Sequence, residues 1–255
     1  MTTGQFSLTG KVALVTGGNG GLGKAMAIAL RQAGAKVAVT GRNPDKNAAV
    51  AAELPEALVL PLDVRDEVAV ERTVATVLQR LGRLDVLVNN AGQSRGGSVL
   101  ELRLQDWHAV IDSHLTGAFL CAKHAARAMV AAGDGGKIVN VSSVYARYGP
   151  PDFADYAAAK AGQLGLTRAL AVELAPHRIQ VNAILPGWFE TDLTRGMPAT
   201  PLGEQLRAKT PAGRWGEHHE LAGTVVYLAS AASNFVTGAE FVVDGGYLVA
   251  DRLLF

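Results

Sequence analysis

The sequence has little cysteine, little net charge and no long apolar run. Its single cysteine, Cys121, excludes an internal disulfide and a cysteine-rich metal site. The histidines other than His114 show no metal-ligand spacing, so we expect no metal. A net charge of +1 favours neither nucleic acid nor a membrane surface as a partner. No stretch approaches the roughly 18 consecutive apolar residues of a membrane span.

The first ten residues are polar and lack the apolar region of a signal peptide, so we expect a cytoplasmic protein. A chain of 255 residues without repeats or linkers fits one domain covering residues 1–255. Apolar β-rich runs predict strands at 11–16, 36–40, 57–61, 84–89, 137–141, 178–185 and 240–243. Helical patterns lie at 22–33, 44–53, 67–81, 104–131, 157–174 and 221–230. This alternation predicts an α/β fold, a doubly wound parallel sheet with helices on both faces.

A loop with five glycines in seven positions follows the first strand and precedes the first helix. Gly18, Gly20 and Gly23 spell G-x-G-x-x-G, whereas Gly17, Gly21 and Gly23 fit T-G-x-x-x-G-x-G. Glycines at this place let the backbone approach a pyrophosphate at the helix N-terminus. A plain tight turn is the alternative, and the context favours a dinucleotide site.

The residue after the second strand determines which dinucleotide is expected. An acid there would bind the ribose hydroxyls of NAD, whereas an arginine suits a 2′-phosphate. The chain has Arg42, followed by Asn43, and no acid. We therefore expect NADP(H) to be preferred, with NAD(H) possible. Alternatively, Arg42 stacks on adenine or faces water.

A tyrosine and a lysine four residues apart, Tyr156 and Lys160, lie near the start of one helix and share a face. An ammonium about 4 Å from a phenol, at an effective dielectric near 20, contributes about 4 kcal/mol. That would lower the phenol pKa by up to about three units and make a general acid or base. Ser143, at the end of the preceding strand, is well placed to hold a reacting oxygen. Such a pair on a helix is also common without any function.

Together these motifs resemble the short-chain dehydrogenase/reductase family over nearly the whole chain, which implies a Rossmann fold and a ketone–alcohol oxidoreductase. The resemblance implies Tyr156 as the proton donor, Ser143 as the carbonyl's hydrogen-bond partner, and Lys160 as the group that lowers the phenol pKa and holds the ribose. His114 stands where the family usually has an Asn that supports a proton-relay water. It would replace that Asn, or be a buried histidine satisfied by its neighbours. The cofactor-binding residues implied are Gly17, Asn19, Gly21, Leu22, Gly23, Arg42, Asn43, Asp63, Val64, Asn90, Ala91, Gly92, Tyr156, Lys160, Pro186, Gly187, Phe189 and Thr191.

The sequence near residues 210–221 and 243–247 is similar to the gluconate 5-dehydrogenase and 2-dehydro-3-deoxy-gluconate 5-dehydrogenase branch, which implies a sugar-acid substrate. A guanidinium would bind the carboxylate of such a substrate, so Arg147 and, less favoured, Arg195 are candidates for that contact. Ser143, Tyr156 and Trp188 are the other candidate substrate-binding residues. The alternative is a bulky apolar or aromatic ketone, in a pocket lined by Tyr145, Tyr148, Phe153 and Trp188.

Weak periodicity at 188–214 predicts a mobile substrate lid. The family resemblance also implies a homotetramer. A cofactor-binding sensor or scaffold without catalysis is disfavoured, because Tyr156 and Lys160 are both present.

Overall fold

The computed structural model describes residues 4–191 and 194–251. They form a seven-stranded parallel sheet in the order β3-β2-β1-β4-β5-β6-β7. The strands are β1 Val12–Thr16, β2 Lys36–Gly41, β3 Leu58–Pro61, β4 Val86–Asn89, β5 Gly136–Val141, β6 Ile179–Pro186 and β7 Glu240–Val243. The predicted doubly wound parallel sheet is confirmed, and β7 has the predicted bounds.

Helices cover both faces of the sheet. They are α1 Gly21–Gln32, α2 Pro44–Glu53, α3 Glu67–Leu81, α4 Leu104–Ile111, α5 Gly117–Ala132, α6 Ala154–Leu174, α7 Pro201–Lys209 and α8 Ala222–Ala229. The side chains of β1 alternate between the two faces. Val15 joins Met26 of α1 and Val225 of α8 in one core. Leu14 joins Val77 of α3 and Met129 of α5 in the other. None of the described helices is both long and apolar enough to cross a bilayer.

Two helical predictions need correction. The single helix expected at 104–131 is interrupted by a π-helical turn, Asp112–Thr116, between α4 and α5. The predicted lid contains α7, which sequence periodicity did not indicate. Thr200 caps it by accepting a hydrogen bond from the Gly203 amide (3.1 Å), and Pro201 occupies the first turn. Residues 192–193 of the lid lie outside the described residues.

The strand order places the loops after β1, β4, β5 and β6 around one crevice. The connection reverses direction between β1 and β4, which is where dinucleotides bind in open α/β sheets. A cavity of about 1200 Å³ occupies this crevice at the carboxyl ends of the strands.

Candidate active site

The glycine loop after β1 adopts the second of the two predicted registers. Gly17 and Gly21 have φ values of +62° and +49°, in the left-handed region that favours glycine. A Cβ on Gly23 would lie 2.4 Å from the Gly17 carbonyl oxygen, so the loop closes tightly on itself. Gly20 precedes α1 without a side-chain cap, and the loop lines the cavity. Uncapped amides and an open backbone fit a pyrophosphate.

Hydrogen bonds from the chain after β4 hold the glycine loop in place. The Asn90 side-chain amide donates to the carbonyls of Thr16 and Gly17, both at 3.1 Å. The backbone amides of Asn90 and Ala91 both donate to the Thr16 hydroxyl at 3.1 Å. Asn90, Ala91 and Gly92 line the cavity. Asn89 instead points into the fold and donates to Asn140 Oδ1 (2.9 Å).

The end of β2 carries positive charge toward the cavity. Arg42 lines it, donates to Gln93 Oε1 (3.2 Å) and lies 3.9 Å from Asp63 Oδ2, with its side chain 48% exposed. Lys46, in the first turn of α2, also lines the cavity. Asn43 also lines the cavity and caps α2 by accepting from the Lys46 amide (2.9 Å).

Asn19 of the glycine loop is tied to the start of α2. Its side-chain amide donates to Asn47 Oδ1 (2.7 Å), and the Asn47 amide donates to the Gly41 carbonyl (2.9 Å). A Cβ on Gly41 would lie 1.9 Å from Asn19 Nδ2, so a larger residue there would displace the Asn19 side chain. These contacts join the glycine loop after β1 to the segment between β2 and α2, so that both form one wall of the cavity.

Asp63 and Val64 follow β3 and line the cavity. The Asp63 carboxylate accepts from Arg65 Nε at 2.9 Å and Arg65 NH2 at 2.6 Å, and this hydrogen bonding lowers its pKa. Asp66, and not Asp63, caps α3 by accepting from the Ala69 amide (3.1 Å). Asp63 therefore contributes a carboxylate to the cavity lining and does not cap the following helix.

Ser143, Tyr156 and Lys160 come together in the lining of the cavity. Ser143 follows β5, while the other two lie in the first two turns of α6. Lys160 is buried, and its Nζ lies 5.4 Å from the centroid of the Tyr156 ring. Its ammonium donates to the Val141 carbonyl (2.7 Å) and to Gln163 Oε1 (3.3 Å). An ammonium has three donors, so one remains for another acceptor.

The expected lowering of the phenol pKa by Lys160 is wrong for the protein as described. Burial raises the pKa of Tyr156 to about 12, although the Ser143 hydroxyl opposes this rise. Burial lowers the pKa of Lys160 to about 7. The physical reason is that both groups leave water, and the cost of burying a charge exceeds their mutual attraction. Tyr156 is therefore a neutral proton donor, and Lys160 titrates near neutrality.

His114 lies in the π-helical turn with its ring against the phenol. The rings of His114 and Tyr156 have centroids 5.1 Å apart and are nearly perpendicular. Its Nε2 lies 2.7 Å from the Gln93 carbonyl and 3.1 Å from the Gln93 amide nitrogen. Its Nδ1 is buried without a partner among the described residues. Burial, reinforced by Lys160, holds the pKa of His114 well below 6.5, so the ring is neutral near pH 7.

The loop after β6 closes the cavity. Pro186, Gly187, Trp188, Phe189 and Thr191 all line it. A Cβ on Gly187 would lie 2.6 Å from Asp244 Cβ, so this turn needs a glycine. Thr194 holds the segment by donating to the Phe189 carbonyl (2.7 Å) and accepting from the Thr191 amide (2.9 Å).

A family profile described as enoyl-(acyl carrier protein) reductase matches residues 17–248. The 3-oxoacyl-[acyl-carrier-protein] reductase of Synechocystis sp. is 41% identical over 249 residues, covering 95% of this chain and 99% of that protein. The 2-dehydro-3-deoxy-D-gluconate 5-dehydrogenase of Escherichia coli K12 is 38% identical over 251 residues, covering 97% and 99%. The chain belongs to the short-chain dehydrogenase/reductase family.

A solved structure of this family has the same architecture. Gluconate 5-dehydrogenase from Burkholderia cenocepacia J2315, in complex with NADP and tartrate, superposes with a TM-score of 0.93 at 38% identity, covering 97% of this chain and 99% of that one. The chain is thus a short-chain oxidoreductase that uses a nicotinamide cofactor on alcohol or ketone substrates.

One predicted substrate residue of this oxidoreductase lies elsewhere. Arg147 is not among the described residues that line the cavity. Its guanidinium pairs with Glu240, which also accepts from Arg168 NH1 (2.8 Å). Because Arg147 lies outside the cavity and its guanidinium is held by Glu240, this placement argues against Arg147 as the substrate's cation. Arg195, within the predicted lid, is not among the described residues that line the cavity either.

Sequence reasoning missed a group of residues on the far wall of the cavity. Lys209 and Tyr247 line it together with the expected Tyr145, Tyr148 and Trp188. Lys209 Nζ lies 4.0 Å from the centroid of the Tyr247 ring. The spacing of residues 202, 205, 206 and 209 places Lys209 on one face of a helix with them. This spacing could have identified Lys209 only if α7 had been predicted.

Proposed function

We propose that this protein is an NADP(H)-dependent reductase and dehydrogenase that interconverts a ketone and a secondary alcohol on a sugar acid. The observation that carries the cofactor preference is the end of β2, where Arg42 and Lys46 line the cavity and the two residues directly after the strand, Arg42 and Asn43, are not acids. A guanidinium suits a 2′-phosphate, whereas NAD binding usually relies on an acid at this position. NAD(H) remains the second cofactor to be measured.

The residues of the cavity fit such a cofactor. The glycine loop would hold the pyrophosphate, Asp63 and Val64 the adenine, and Asn90, Ala91 and Gly92 the ribose side. The third donor of the Lys160 ammonium would hold the nicotinamide ribose, while Pro186, Gly187, Phe189 and Thr191 would enclose the nicotinamide. The tight approach of Gly17 to Ala91, with a Cβ only 2.9 Å from Ala91 Cα, leaves no room for a side chain in this cradle. When bound, the cofactor supplies or accepts the hydride.

In the proposed reaction, the protein moves the proton. The neutral Tyr156 hydroxyl donates its proton to the substrate oxygen during reduction, and Ser143 donates a hydrogen bond to that oxygen. With a pKa of about 7, Lys160 then returns a proton toward the phenol more easily than an ordinary lysine would. His114 positions the site, because its neutral ring supports the Tyr156 ring and anchors the Gln93 backbone.

Replacing Tyr156 with Phe tests this assignment. We expect kcat to fall by about 10²–10⁴-fold, because this is the usual contribution of general acid catalysis and the substitution removes the proton donor. The Kd for NADPH, measured by fluorescence titration, should stay within about twofold. Turnover that survives the substitution would contradict the role of Tyr156, and loss of NADPH binding would indicate a structural effect instead.

The sugar-acid substrate is supported by the names of relatives 37–38% identical, gluconate 5-dehydrogenase and 2-dehydro-3-deoxy-D-gluconate 5-dehydrogenase. The aromatic wall favours a second candidate, a bulky aromatic ketone: Tyr145 contacts Tyr148, Phe153 and Trp188 with centroids 5.2–5.7 Å apart. A panel of gluconate, aryl ketones and a 3-oxoacyl thioester, each with both cofactors, discriminates them. Faster turnover of the thioester than of any sugar acid would reject our substrate class.

We also propose that residues 188–214 close over the substrate and that the enzyme is a homotetramer. The tetramer rests on the family resemblance and on apolar side chains exposed on α5 and α6, with Phe119 44% and Val172 79% exposed. Light scattering on the purified protein measures the assembly directly.

A further inference from the structure

One face of α7 forms part of the cavity wall. Leu202, Gln205, Leu206 and Lys209 all line the cavity, and their spacing of three, four and seven residues places them on one side of the helix. Lys209 is the last residue of α7, where a cation is also favoured by the helix dipole.

The Lys209 ammonium lies against aromatic rings instead of an acid. Its Nζ is 4.0 Å from the Tyr247 ring centroid and 5.4 Å from that of Tyr148. Within residues 4–191 and 194–251, no carboxylate forms an ion pair with Lys209, although Asp251 lines the same cavity. Ring faces attract a cation only weakly and do not neutralise it. A carboxylate entering this wall would therefore find a cation already partly shielded from water.

Lys209 is connected to the catalytic tyrosine through two rings. Tyr148 has its centroid 5.2 Å from that of Tyr145, and Tyr145 lies 5.7 Å from Tyr156. Of the other cations that line the cavity in the described chain, Arg42 and Lys46 lie at the end of β2, and Lys160 lies beside Tyr156. The charge on the far side of Tyr145 is thus supplied by Lys209.

The neighbouring phenols can assist an anion. The Tyr148 hydroxyl donates to the Tyr247 hydroxyl at 3.3 Å, which uses one of the two hydroxyl protons. The other proton is free to be donated to an incoming oxygen. An ammonium and a phenol side by side suit the two oxygens of a carboxylate.

We propose that Lys209 binds the carboxylate of the substrate, so that the carbon to be oxidised or reduced lies at Tyr156. This inference rests on the proposed function, and it makes Lys209 the residue that selects acids over neutral polyols and ketones. It replaces Arg147, whose charge is paired with Glu240.

The test compares matched substrates that differ in charge. One pair is gluconate and the neutral polyol glucitol, and the other is 4-acetylbenzoate and its methyl ester. The variants are Lys209→Met, which keeps an apolar chain on the rings, and Lys209→Arg, which restores the charge. Arg207→Met is the control, because it removes the same charge from the same helix but Arg207 pairs with Glu204 outside the cavity.

We expect Lys209→Met to lower the ratio of kcat/KM for acid over neutral substrate by about 10- to 100-fold, the range of a charge-assisted hydrogen bond. The loss should appear mainly in KM, since the contact lies away from the reacting carbon. For Lys209→Arg, the same ratio should stay within about threefold of the wild-type value. For Arg207→Met, the ratio should equal the wild-type value. Thermal melting and the Kd for NADPH check that each variant is folded.

Other outcomes separate this inference from the proposed function. If the wild type oxidises gluconate and Lys209→Met keeps the full preference for acids, the role of Lys209 is overturned and the substrate class stands. If gluconate is not oxidised but the preference for 4-acetylbenzoate is lost in Lys209→Met, Lys209 stands and the sugar acid is rejected. A wild type that neither prefers nor binds the acids, as measured by calorimetry with NADPH present, overturns both.

Discussion

Removing the Arg42 charge should weaken NADPH binding and leave NADH binding unchanged. The guanidinium would contact the 2′-phosphate, which NADH lacks. A hydrogen bond to a charged group contributes about 1.5–3 kcal/mol. The Arg42 side chain is 48% exposed and already donates to Gln93, so solvent and this partner reduce the gain. We therefore take the lower limit of about 1.5 kcal/mol, which corresponds to about a tenfold increase in the Kd for NADPH.

The assay is a fluorescence titration of both reduced cofactors against the wild type, Arg42→Ala and Arg31→Ala. Arg31→Ala is the control, because Arg31 pairs with Glu56 on the surface and does not line the cavity. This substitution removes the same net charge at a place away from the cofactor site. Arg42→Asp should lower NADPH affinity further and improve NADH binding, since a carboxylate repels the phosphate and accepts from ribose hydroxyls. Equal changes for both cofactors in Arg42→Ala, or a wild type that prefers NADH, would refute the reasoning.

Two further predictions concern titration within the buried site. The pKa of Lys160 is about 7 in the folded protein against 10.5 for a free lysine, so between these values the unfolded chain holds a proton that the folded chain has released. The free energy of unfolding of the wild type, relative to that of Lys160→Met, should therefore rise with pH between about 7 and about 10, by at most about 1.4 kcal/mol per pH unit. Urea unfolding of both proteins across this range measures the difference. If the two free energies changed with pH in parallel, the prediction would be contradicted. His114→Asn should leave the pH profile of kcat between pH 5 and 8 unchanged, because the ring is already neutral; loss of a titration step near 6.5 would show that the imidazole does titrate.

Much of the fold could be predicted because local pattern and burial agree. The apolar run of β1 is buried on both faces, and helices α2 and α3 have the predicted bounds. Gly17 and Gly21 could be identified as cofactor-loop glycines because a strand, a glycine loop and a helix follow one another in sequence. Tyr156 and Lys160 share a helix, so their proximity follows from a spacing of four residues.

Only the tertiary structure determined the features that depend on contacts between residues distant in the sequence. Helix α7 is polar with weak periodicity, and its position over the cavity, not its propensity, makes Lys209 a cavity residue. The pairing of Arg147 with Glu240 joins residues 93 positions apart and could not be anticipated from either one. The protonation states also reversed the expectation: sequence spacing indicates that a cation is near a phenol, but how much water each group loses depends on the packing around both.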